Sequence, residues 1–292
     1  MLTLALLLQA AATPTPAAKA PSEIVAAAPA ADWVDIAAED LLVMQLAPGA
    51  GGTARRVVIQ LMPQPFSQPW ILNIRTLAKA HWWDGTSVNR VQDNYVVQWG
   101  DATEKKAIPP NLTATSERDY GITQRAFPPK GSFVDSYAPT KHILGWPVAS
   151  DGRIAWPVHC YGMIGVGRNL SPDAGNGAEL YTVIGHAPRH LDRNIAVVGR
   201  VVEGIEHLSS LPRGSGALGF YEDPAQRVPI ASIRLASEVP EAERPRMQYL
   251  STETATFVAY ADARANRKDA FFNVPAGGAD ICNIPVPVRW KP

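Results

Sequence analysis

Apolar and β-branched residues dominate two stretches, from Trp33 to Leu46 and from Arg56 to Met62, joined by Pro48-Gly49-Ala50-Gly51-Gly52. Glycines at such a join suit the positive φ of a tight connection, so the pair predicts a β-hairpin. Trp70, Ile71, Ile74, Leu77 and Ala78 then recur at helical spacing, with Ser67 placed as N-cap, Pro69 near the first turn and Asp84-Gly85 as the break. One amphipathic helix is expected there. Ser87 to Gly100 mixes alternation with the aromatic Tyr95 and predicts two short strands around a tight bend. Between Ala102 and Pro157 the pattern dissolves under Pro109-Pro110, Pro128-Pro129, Pro139 and Pro147, and the stretch reads as a long loop-like insertion.

Order returns in Val158 to Arg168, Leu180 to Gly185 and Ile195 to Val202, with a polar glycine loop from Asn169 to Gly177. A short helical stretch, Ile205 to Leu211, follows. Further on, a strand is expected at Ile230 to Ala236 and a helix from about Glu253 to Phe272, whose Ala, Arg and Lys content favours helix. The last residues, with Pro275, Pro285 and Pro287, read as an extended strap laid on the surface. No internal repeat is apparent.

Composition narrows this picture to a β-rich globular protein. The 292 residues are 46% hydrophobic, enough for a full core, and 26 prolines against 22 glycines argue for short elements and ordered loops. Lys plus Arg, 27, balance Asp plus Glu, 27, so no global field recruits nucleic acid or an anionic membrane surface. Met1 to Ala12 is almost wholly apolar and is followed by Pro14 and Pro16, as in a secretory signal, although no Lys or Arg precedes Lys19. Its apolar core falls short of the about 20 residues of a bilayer span. An exported protein, periplasmic or secreted and monomeric, is the expectation; an Ala/Pro-rich leader on a cytosolic protein is the alternative. The resulting organisation is a signal and disordered tether over 1–31, a barrel domain over 32–236 with the insertion 102–157, and a C-terminal extension over 237–292. The two cysteines, Cys160 and Cys282, permit one disulfide or two separate buried thiols.

Two blocks carry a family resemblance. Asn73-Ile74, then Trp83-Asp84-Gly85 through Arg90 to Tyr95-Val96-Val97-Gln98-Trp99-Gly100-Asp101, resembles the cyclophilin pattern of an Asn-Phe pair, a Tyr-x-Gly turn and Phe-His-Arg…Gly-Phe-Met-x-Gln-Gly-Gly-Asp. Gly162 to Arg168, Gly177-Ala178-Glu179-Leu180-Tyr181-Thr182, Leu191-Asp192 and Val197 to Gly204 are similar to the family's Met-Ala strand, Gly-Ser-Gln-Phe-Phe segment, Leu-Asp turn and Phe-Gly-x-Val-x-x-Gly run. The resemblance covers roughly residues 56 to 211 and implies a closed eight-stranded antiparallel barrel capped by two short helices.

It also implies peptidyl-prolyl cis-trans isomerase activity on proline-containing segments of client proteins, with no metal or nucleotide cofactor. Arg90 matches the family's catalytic arginine and Gln98 the glutamine that positions it; Tyr95 and Tyr181 complete the catalytic set. Val96 and Leu191 fall where the family lines its proline pocket, with Gly167, Glu179 and His190 along the substrate groove. Several positions depart from the pattern: Tyr181 replaces a phenylalanine, Val96 a methionine and Glu179 a glutamine, while His190 stands at a tryptophan position and Ile195 at a histidine or tyrosine one. Because the rim is altered, a weakly active or inactive peptide-binding or chaperone module is the alternative. For Arg90 alone, the plain alternative is a surface ion pair.

Three further signals lose to context. Gly214-Ser215-Gly216-Ala217-Leu218-Gly219 matches a dinucleotide glycine pattern by letter but neither follows a strand nor opens a helix, and reads as a turn. His186 and His190, with His159 and Cys160, have the residue types of a zinc site, but Pro188 opposes the helix that would align the pair, and they read as solvated loop histidines. Asn111-Leu112-Thr113 is a glycosylation sequon by letter only.

Overall fold

The computed structural model describes residues 18–123 and 136–292. The expected signal Met1 to Ala12 and Pro128-Pro129 lie outside the described residues. In chain order the first elements are α1 (Pro21–Ala26), β1 (Trp33–Asp35), β2 (Leu41–Leu46), β3 (Arg55–Leu61), α2 (Gln68–Lys79), β4 (Ser87–Val91) and β5 (Val96–Gly100). The segment expected to be loop holds β6 (Ile122–Thr123), β7 (Thr140–Ile143), β8 (Trp146–Ser150) and β9 (Ile154–Pro157). Then come β10 (Met163–Val166), β11 (Leu180–Val183), β12 (Val197–Glu203), α3 (Glu206–Ser209), β13 (Val228–Leu235), β14 (Met247–Leu250), α4 (Ala255–Ala265) and β15 (Val288–Trp290).

Eight strands close a barrel in the order β10-β11-β5-β4-β13-β2-β3-β12, antiparallel at every seam. Alternation decides what fills it: Val57, Ile59 and Leu61 of β3, Val97 and Trp99 of β5, and Ile164 and Val166 of β10 all enter one core. The apolar stripe of α2 (Trp70, Ile71, Ile74, Leu77, Ala78) and Leu208 of α3 bury themselves in the same cluster. Ser67 stands at the N-cap of α2, but in the left-handed region, φ 56° and ψ 24°, and its hydroxyl donates to Val197 O rather than capping the helix.

The insertion corrects the sequence reading. Its strands form a four-stranded sheet, β6-β9-β8-β7, and Trp146, Val148, Ala149, Ala155 and Trp156 join the barrel core. Strands this short, interrupted by Pro147 and Pro157, show no readable alternation, so only tertiary packing reveals them.

The ends of the chain form a second small unit. β1 leaves the expected hairpin with β3 and pairs with β14, which pairs with β15 in a three-stranded sheet. Trp33 therefore belongs with the C-terminal extension and not with the barrel, packing beside Leu250, Phe257, Tyr260 and Ile284. Part of the expected tether is helix α1, whose Ile24 and Val25 lie on that cluster and whose Pro21 is buried. Helix α4 stops at Asn266, short of Phe272, and the strap is no surface ribbon: Ile281 and Ile284 are buried and Cys282 is bonded to Cys160. No described helix is long and apolar enough to cross a membrane.

Candidate active site

Arg90, Gln98, Tyr181 and Gly165 stand in one row across β4, β5, β11 and β10, each opposite the next in the strand register. Their neighbours Val97, Trp99 and Leu180 fill the barrel, so the row faces outward. Arg90 needs one more device, because Val88 and Val91 both point inward. The register of β4 against β5 shifts between Val88 and Arg90, and the extra residue, Asn89, turns Arg90 to the outer face.

Arg90, Gln98 and Tyr181 of this row line a cleft of about 790 Å³ that also holds Tyr95, Val96, Gly167, Glu179 and Leu191. Arg90 is half-buried and held on three sides. Its Nε donates to Leu218 O at 2.7 Å, Nη1 to Gln98 Oε1 at 3.1 Å, and Nη2 to Gln92 Oε1. Its guanidinium lies 5.7 Å from the Tyr95 ring centroid and 5.4 Å from that of Phe220. Burial draws the Arg90 pKa below its ordinary value, with Tyr95 and Tyr181 opposing. Since arginine carries five N–H donors, each terminal nitrogen keeps one N–H for a ligand.

Beside the cation, Val96, Tyr181 and Val183 form an apolar cluster separate from the barrel interior, flanked by Tyr95, Leu191 and Ile195. The slot is thus an apolar pocket next to a few fixed polar groups, the usual make-up of a small-ligand site. Burial pushes the Tyr181 phenol well above its usual pKa, so it stays protonated. Glu179 sits along the groove with its carboxyl against Gly100, and hydrogen bonds join it to Gln98, Asn89 and the Asp101 backbone. Burial raises its pKa to about 7, against those bonds. Gly167 is required at its place, since a Cβ there would stand 2.8 Å from Glu179 Cβ.

Of the residues expected from the sequence, His190 alone lies outside the cleft: exposed, it stacks on Tyr95 with ring centroids 6.0 Å apart. Of the residues weighed for zinc, His159 is hydrogen-bonded to Asp192 and Tyr181, and Cys160 is disulfide-bonded to Cys282. Sequence reasoning missed Asn89, Leu218 and Phe220. Leu218 belongs to the glycine run set aside as a turn, and it is that turn which brings its carbonyl to Arg90. A larger cleft, about 1320 Å³, opens between α1, α4 and β7 and holds none of the expected residues.

The model of the family described as cyclophilin type peptidyl-prolyl cis-trans isomerase/CLD matches residues 53–235. The fold is similar to the crystal structure of cyclophilin AquaCyp293 from Hirschia baltica, with a TM-score of 0.65 and 19% sequence identity over 88% of this chain and 92% of that one. The crystal structure of a cyclophilin type peptidyl-prolyl cis-trans isomerase from Cryptosporidium parvum matches at a TM-score of 0.39 and 13% identity, over 67% of this chain and 96% of that one. No curated protein matches the sequence.

Proposed function

The chain belongs to the cyclophilin type peptidyl-prolyl cis-trans isomerase family, and on that premise we propose that it turns over X-Pro bonds in extended client segments with Arg90 as the catalytic group. The bond resists rotation because the imide nitrogen conjugates with its carbonyl, a barrier of about 18–20 kcal/mol. Midway through rotation the conjugation is lost and the nitrogen becomes a hydrogen-bond acceptor. A guanidinium aimed at that nitrogen binds the twisted state better than the planar one, and so lowers the barrier.

The observation that carries this reading is the placement of Arg90, half-buried, tied to Gln98 at 3.1 Å and bordering the Val96, Tyr181 and Leu191 slot. The slot immobilises the proline ring while the preceding carbonyl swings. Gln98 keeps the guanidinium in plane, and fixed donors need no reorganisation as the bond twists. The Cys160–Cys282 disulfide supports an oxidising compartment, and hence exported proteins as clients.

The test is the cis-to-trans rate of a proline peptide with the wild-type protein and with Arg90→Ala. The variant should lose about a hundredfold in kcat/KM, the scale of one preorganised donor. An unchanged rate would remove Arg90 from the mechanism. Saturable peptide binding by the wild type without turnover would instead favour a binding module, the reading that the departures at Val96 and Tyr181 support.

A further inference from the structure

The phenol that walls the proline slot is tethered from behind. Tyr181 OH lies 3.0 Å from His159 Nε2, and His159 Nδ1 lies 3.0 Å from Asp192 Oδ1. The same carboxylate accepts the His159 backbone N–H at 3.0 Å, Arg189 Nε at 2.7 Å and Trp156 Nε1 at 3.4 Å. His159 is fully buried, and Tyr181, Asp192 and Arg189 are each less than a tenth exposed.

The donor inventory dictates the direction of the chain. Among the described residues four donors converge on Asp192; burial alone would raise its pKa, but the bonds from His159 and Arg189 outweigh burial and keep it ionised. An ionised carboxylate only accepts, so His159 Nδ1 carries the proton. Arg189 already balances the Asp192 charge, so His159 is assigned the neutral imidazole, in which Nε2 accepts and Tyr181 O–H donates to it. The hydroxyl is drawn away from the slot, and only the ring wall faces the cleft. Strand β10 makes room for this: a Cβ at Gly165 would stand 2.3 Å from Tyr181 OH.

We infer that His159, oriented by Asp192, is a positioning residue of the isomerase, which locks the Tyr181 ring as a wall of the proline slot and keeps its hydroxyl off the substrate. The inference rests on the isomerase reading above. A phenylalanine at 181 would need no acceptor behind it, so the tyrosine and His159 form a matched pair. Loss of His159 leaves a buried O–H unpaired, which must either rotate toward the slot or admit water there.

A double-mutant cycle separates this role from a merely structural one. With Tyr181 present, His159→Leu should lower kcat/KM about tenfold, chiefly through a higher KM, the size of effect an unpaired buried hydroxyl produces. In the Tyr181→Phe background the same substitution should change kcat/KM by less than about twofold, since no hydroxyl remains to be stranded. Equal losses in both backgrounds, or no loss with Tyr181, would overturn the inference. Should His159→Leu fail to fold, the imidazole ¹⁵N spectrum of the wild type decides: an unprotonated Nε2 beside a protonated Nδ1 supports it, and a protonated Nε2 overturns it. Absence of wild-type turnover would overturn the isomerase reading and this inference with it, whereas turnover with equal losses removes this inference alone.

Discussion

Leu218 O, Gln98 Oε1 and Gln92 Oε1 hold the Arg90 guanidinium on three sides, and this restraint is what turns a charged side chain into a directed donor. An arginine free on the surface would lose rotamer entropy each time it met the twisted imide; here that loss is incurred on folding. Glu179 shows the opposite economy, an acid kept largely out of water. Its folded pKa, about 7, lies above the ordinary value of 4.5 because burial disfavours the charge. A raised folded pKa means that the group favours the fold most below its unfolded pKa and loses that contribution as pH rises toward 7. Glu179→Gln removes the titration without changing shape. Its melting temperature should match the wild type near pH 4, below the unfolded pKa, and exceed it at pH 8, and a difference that stays constant across this window would refute the assignment.

At the scale of elements, the shift in β4 and helix α2 do the positioning. Without the extra residue at Asn89, Arg90 would share the inward side of Val88. Asn73 of α2, almost fully buried, ties two loops around the cleft: Oδ1 accepts Thr113 N–H at 2.7 Å, and Nδ2 donates to Thr113 O at 2.9 Å and Asn176 O at 3.0 Å. Thr115 and Asn176 line that cleft. Asn73→Ala should therefore destabilise by about 2–3 kcal/mol in urea unfolding, the cost of buried backbone groups left unpaired. A loss under about 0.5 kcal/mol, the level of an ordinary surface change, would mean that α2 does not hold these loops. The helix itself was legible from its apolar spacing, and the β4–β5 pair from its alternation. The β6–β9 sheet was not, because strands of two to five residues hold too few positions for a period to emerge.

Over the whole molecule, barrel, insertion and C-terminal unit are pinned together at a few points. Arg200 of β12 is buried, donates to Gln60 Oε1 in the barrel and to Gly145 O in the insertion, and lies 5.9 Å from the ring centroid of Tyr249 in the C-terminal sheet. The Cys160–Cys282 bridge spans 122 residues of sequence and fastens the chain end beside β10. Replacing both cysteines by serine should cost about 4–5 kcal/mol in denaturant unfolding, as the chain-entropy account of a loop this long predicts. A cost below about 1 kcal/mol would show that the buried Ile281 and Ile284 hold the end unaided. What the amino-acid sequence determined by itself was local: apolar, β-branched runs and the alternation of Ser87 to Gly100 marked barrel strands, helical spacing marked α2, and the family resemblance matched Arg90 and Gln98 within that predicted strand pair. What only the tertiary structure decided were partners far apart in the chain. Leu218 reaches Arg90 across 128 residues, Asp192 reaches His159 across 33, and Trp33 finds Leu250 at the other end of the protein. Periodicity records which way a side chain faces, because that follows from backbone geometry a few residues long. Which distant group it meets there depends on how the closed barrel brings separate segments together, and no local pattern encodes that.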